Sequence, residues 1–69
     1  MKEIKLREDY IKLGQALKAA GLVSSGIEAK IVITEGEVLV NGEQELRRGR
    51  KLYDGDTVLF QEEEIKVIK

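Results

Sequence analysis

Four of the five residues in Arg47-Arg48-Gly49-Arg50-Lys51 are basic, and this is the densest run of positive charge in the sequence. Such a cluster suits phosphate. Each phosphate it neutralises releases counterions, and arginine adds bidentate hydrogen bonding and a flat face for stacking. Acids crowd on both sides: Glu35, Glu37, Glu43 and Glu45 before it, Asp54, Asp56, Glu62, Glu63 and Glu64 after it. The balance of 12 basic and 13 acidic residues, net −1, therefore hides one local positive patch. On composition alone, a solvated loop that balances the surrounding acids explains the cluster equally well.

Other cations stand on the expected helices. Lys12 and Lys30 could flank one groove, with Lys18 as a lesser candidate. Each of the three taken singly also reads as an ordinary exposed helix lysine. Ser25 and Gly26 open a helix, where free N–H groups can meet an anion and a glycine allows close approach. Ser25 is first of all a helix cap. Tyr10 and Tyr53 could stack on a base, though a semi-buried tyrosine in a small core is the commoner situation.

The 69 residues include no histidine and no cysteine. That removes the commonest general base, the commonest zinc ligand, thiolate chemistry and disulfides. The remaining carboxylates and lysines form no catalytic constellation, so no enzyme, cofactor, metal site or small-molecule substrate is expected. Glu62-Glu63-Glu64 reads as a solvated turn. The start of the sequence has no signal-peptide pattern, and Ile31-Val32-Ile33 is far too short to span a bilayer. A monomer in the cytoplasm is the expectation.

The elements that must position these residues follow from periodicity and caps. Ile4 and Leu6 alternate with charges in a first strand. Tyr10, Leu13, Leu17 and Ala20 mark one stripe of a helix over residues 10–20, with Gly14 inside it at a cost of about 1 kcal/mol against alanine. That cost suggests close packing at Gly14, or a tolerated imperfection. Gly21 and Leu22 form a Schellman-type stop. Ser25 and Glu28 form a capping box for a second helix that ends at Gly36, with Ile27 and Ile31 on its buried side, joined there by Ala29, Val32 and Ile33. Beta structure follows: a strand around Val38 and Val40, a two-residue Asn41-Gly42 hairpin turn, and a return strand from Glu43 to about Leu46. A turn at Asp54-Gly55-Asp56 leads into strands over residues 57–60 and 65–68, with Glu62–Glu64 connecting them. The result is one α+β domain, two adjacent helices packed on a small, twisted, mainly antiparallel sheet.

The ordered set of motifs resembles the S-four RNA-binding domain, the alpha-L module. The resemblance is carried by residues 13–30, from Leu13-Gly14-Gln15 through Gly21 and Ser25 to Ala29-Lys30, then Gly36, Val38-Leu39-Val40-Asn41-Gly42, and Leu52-Tyr53-Asp54-Gly55-Asp56-Thr57-Val58. Val40-Asn41-Gly42-Glu43 followed by Arg47–Leu52 is similar to the small stand-alone YaaA/YbcJ-like members. The resemblance implies an alpha-L fold over residues 1–69 that binds structured RNA, ribosomal RNA or a ribosome precursor, without catalysis. It implies a contact face drawn from Lys12, Lys18, Ser25, Gly26, Lys30, Arg47, Arg48, Arg50 and Lys51. The sequence departs from the family pattern where Gly26 replaces a frequent arginine and Gly14 a frequent aspartate. The Arg47–Lys51 cluster is then expected to replace the lost phosphate contact.

A beta-grasp interaction or carrier domain is the alternative, because Val-Asn-Gly-Glu and Leu-x-x-Gly-Asp-x-Val also occur in small sulfur carriers. Carrier chemistry needs a terminal Gly-Gly, whereas this sequence has Val67-Ile68-Lys69. Two consecutive helices before the hairpin also favour the alpha-L order.

Overall fold

The computed structural model describes all residues from Met1 to Lys69. In chain order the elements are β1 (Lys2–Lys5), β2 (Ile11–Lys12), α1 (Leu13–Ala19), α2 (Gly26–Thr34), β3 (Val38–Val40), β4 (Glu43–Gln44), β5 (Lys51–Leu52), β6 (Thr57–Phe60) and β7 (Glu63–Ile68). Five strands form one sheet in the order β1-β7-β6-β3-β4, and β2 pairs with β5 in a separate two-stranded ribbon. Only β1 and β7 run parallel; β3–β4, β3–β6, β6–β7 and β2–β5 are antiparallel. The expected α+β architecture is therefore present, with two helices and a mostly antiparallel sheet.

Local chemistry explains the element ends. Both helices stop in Schellman motifs. At the first, Gly21 has φ 75°, and the Leu22 N–H donates to the Leu17 carbonyl. At the second, Gly36 has φ 79°, and the Glu37 N–H donates to the Val32 carbonyl. Asn41 and Gly42, at φ 52° and 84°, form the type I′ turn between β3 and β4. Asn41 does more than turn the chain. Its side chain donates to Asp56 Oδ1 at 3.0 Å and accepts the Thr57 N–H at 2.9 Å. Asp56 Oδ2 in turn accepts the Tyr53 N–H at 2.8 Å. The Val-Asn-Gly and Gly-Asp-x-Val motifs thus touch each other and lock β3 against the start of β6.

The core lies between the sheet and the inner faces of the helices. Leu13, Leu17 and Ala16 of α1 and Ala29 and Ile33 of α2 are fully buried against Val38, Val58, Ile65 and Val67. Three expectations need correction. The first helix starts at Leu13, not Tyr10, because residues 11–12 are extended and pair with Leu52 and Lys51. Ile27 and Ile31 are exposed, at 74% and 52%. They sit two residues out of phase with Ala29 and Ile33, which places them on the opposite side of α2. The acidic connection between the last two strands is shorter than expected. Gln61 and Glu62, both at positive φ, make a two-residue turn, and Glu63 and Glu64 pair into β7. No helix is long and apolar enough to cross a membrane.

Candidate functional site

The loop after β4 is built onto the front of α1. The Leu13 N–H donates to the Arg50 carbonyl at 2.8 Å and the Gly14 N–H to the Arg48 carbonyl at 3.1 Å. The first amides of a helix lack partners within the helix, and here the basic loop supplies partners for two of them. The β2–β5 ribbon continues the same attachment, with Lys12 opposite Lys51. Gly14 is required by this docking: a Cβ there would lie 2.7 Å from Arg48 Cγ. The helix-weakening glycine noted in the sequence is thus the seat of a basic side chain.

This attachment encloses a cleft of about 340 Å³, lined by Lys12, Gly14, Gln15, Lys18, Gly26, Arg48 and Gly49. Its lining contains three cations, three glycines, one glutamine and no acid. Lys12 stands at the N-cap of α1 with an extended backbone and makes no side-chain cap bond. Lys12, Lys18 and Arg48 take part in none of the protein's ion pairs. Gly26 opens α2 at the cleft, and nothing lies within 4 Å of where its Cβ would be. Three unpaired cations around an open, glycine-lined depression can hold polyanion oxygens.

The structure divides the sequence-predicted residues. It brings Lys12, Lys18, Gly26 and Arg48 together. Ser25 sits beside them but is occupied as a cap: its Oγ accepts the Glu28 N–H at 3.1 Å, while the Glu28 carboxylate accepts the Ser24 N–H at 2.7 Å. The Ser24 N–H, and with it the Ser24 hydroxyl, hold the Glu28 carboxyl below its usual pKa. Lys30 is exposed one helical turn after Gly26 and does not line the cleft. Lys51 leaves the cluster to lie over the Tyr10 ring, its Nζ 4.8 Å from the centroid.

Arg47 and Arg50 have a different engagement. Both grip Glu45, whose side chain is only 8% exposed. Arg47 Nε donates to Glu45 Oε2 at 3.0 Å and Arg50 Nη1 to Oε1 at 2.7 Å, while the Arg47 backbone N–H also donates to Oε2. The Arg47 hydrogen bonds, with those of Arg50 and against the opposing effect of burial, hold the Glu45 carboxyl at about 2. One carboxylate and two guanidiniums leave this group with a single net positive charge. The basic cluster is therefore not one patch of equivalent charges. Sequence reasoning missed Glu45 and the cleft residues Gln15 and Gly49. The glycine inside α1 was the available pointer to the cleft, and Glu45 had none beyond its place before the cluster.

Comparison with known proteins gives the geometry a context. The family model for the S4 domain matches residues 4–68. A Bacillus subtilis protein named as a probable ribosome maturation protein, RlbA, is 53% identical over 55 residues, covering 80% of this chain and 78% of that protein. YbcJ of Escherichia coli is 37% identical over 62 residues, covering 90% of this chain and 89% of YbcJ. The solution structure of YbcJ, described as revealing an alfaL motif involved in RNA-binding, superposes with a TM-score of 0.77 at 36% identity. That superposition covers 100% of this chain and 89% of YbcJ.

Proposed function

The chain belongs to the S4-domain family, and from that premise we propose that it binds structured RNA through the Lys12–Lys18–Arg48 cleft, with ribosomal RNA or a ribosome precursor as the target. The observation that carries this reading is the cleft itself: three cations without acidic partners around a lining of glycines. Duplex RNA is recognised mainly by backbone and shape, which a shallow cationic cleft can follow without base-specific side chains. Gly26 leaves the backbone at the start of α2 open to a phosphodiester chain, since nothing lies within 4 Å of where its Cβ would be. The similarity to RlbA supports the ribosomal target, and that to YbcJ supports RNA. The chain acts as a monomer in the cytoplasm on this reading, with no cofactor and no catalytic step.

Lys51, Lys30 and the net charge of the Glu45 group extend the face beyond the cleft. With about five phosphates engaged, log affinity falls with log salt at a slope near −4 to −5. A filter-binding titration with ribosomal RNA fragments at several salt concentrations measures that slope. Absence of binding at low salt would overturn the proposal.

A further inference from the structure

The β2–β5 ribbon has two unlike faces. Ile11 and Leu52 are opposite each other, and so are Lys12 and Lys51. Leu52 is fully buried and Ile11 packs against the core. Continuing the antiparallel register by one position sets Tyr10 opposite Tyr53. Alternation then puts Tyr10, Lys12, Lys51 and Tyr53 together on the outer face. The side chains agree: the two rings have centroids 6.0 Å apart, tilted by 49°, and Lys51 lies over Tyr10. Tyr10 is 36% exposed and Tyr53 49%. The chain has two tyrosines, one phenylalanine and no tryptophan. Phe60 is in the core, so every exposed aromatic ring of the protein is gathered here. The pair stands open, has a lysine on each strand, and shares Lys12 with the cationic cleft.

We infer that the Tyr10–Tyr53 face of the ribbon stacks an unpaired RNA base next to the backbone held in the cleft. The inference rests on the RNA-binding reading and deepens it: the preferred ligand is a duplex with an adjoining single-stranded nucleotide, not a plain duplex. Tyr53, the more open ring, offers its face to the base. Lys51 and Lys12 meet the phosphates on either side, and the cation near the rings favours aromatic contact further. Stacking of this kind tolerates any base, so the site selects for unpaired structure and not for sequence.

The test compares three RNAs: a blunt duplex, the same duplex with a short single-stranded 3′ extension, and that extension made abasic so that its phosphates remain and its bases do not. The expected result is affinity about tenfold tighter for the base-bearing extension than for the abasic one. A 2-aminopurine placed in the extension, excited outside tyrosine absorption, is quenched on binding. Tyr53→Leu, which leaves the core intact, removes both the preference and the quenching while the blunt duplex binds as before. Tyr53→Phe retains them. Equal affinity for base-bearing and abasic extensions, or a preference that survives Tyr53→Leu, overturns the stacking site and leaves the cleft reading standing. Failure of all three RNAs to bind overturns both. A dimer in solution that Tyr53→Leu converts to monomer would assign this face to self-association instead.

Discussion

Arg48 and its neighbours Arg47 and Arg50 share a loop, a charge and a residue type, yet the fold gives them different work. Arg48 packs over Gly14 and lines a cleft that contains no acid. Arg47 and Arg50 close on a buried carboxylate. The difference is set by which side of the loop each residue faces when the loop carbonyls dock on α1. An uncompensated arginine is a binding group. An arginine that satisfies a buried acid is first of all a structural one, because losing it strands a charge. A run of basic residues in sequence therefore overstates the positive charge available to a ligand.

The contrast can be broken by substitution. The largest effect expected is on RNA affinity in the combined Lys12→Ala, Lys18→Ala, Arg48→Ala variant: about a hundredfold weaker at low salt, with folding unchanged, read by filter binding and circular dichroism. Next is the stability of Glu45→Gln. The two arginines lose their carboxylate in a nearly buried position, and urea denaturation should show a loss of about 1–3 kcal/mol. The same variant should bind RNA a few-fold more tightly at low salt, since one more positive charge becomes available. Unchanged stability with unchanged affinity would erase the distinction between the two arginine groups.

Acid titration sharpens the same point. The Glu45 carboxyl is held at about 2 in the folded chain against its ordinary 4.5. Its contribution to stability is complete above about 4.5 and is lost as pH falls through about 2. Denaturation followed between neutral pH and pH 2 should show this acid-sensitive component in the wild type and its absence in Glu45→Gln. A smaller effect is expected at Gly14→Ala. Helix propensity alone would favour alanine by about 1 kcal/mol. The Cβ collides with Arg48, so that gain should be cancelled and RNA affinity should fall a few-fold. The smallest effect is at Lys30→Ala, outside the cleft, where affinity should change by less than about threefold.

What the sequence made legible was mostly local. Ser25 with Glu28, Gly21, Gly36 and Asn41-Gly42 announce caps and turns because their chemistry acts within a few residues. The α+β order and the family followed from those markers taken together. The ribbon was not legible, since two-residue strands leave no periodicity and owe their existence to pairing between distant segments. The buried side of α2 was misread because Ile27, Ala29, Ile31, Val32 and Ile33 supply an apolar residue to almost every direction, so packing and not pattern chooses the face. Of the candidate site, the residue types were readable and their grouping was not. Lys12, Lys18, Gly26 and Arg48 converge only in three dimensions. Glu45 became the partner of two arginines only once β4 carried it inward.

The central claim is that the three unpaired cations of the cleft, and not the basic run as such, hold the RNA backbone. Its most direct test is the salt dependence of affinity for one ribosomal RNA fragment, measured in parallel for the wild type and the Lys12→Ala, Lys18→Ala, Arg48→Ala variant. The account predicts a log–log slope shallower by about three in the variant, roughly one for each phosphate contact removed. Parallel slopes with equal affinity would contradict it.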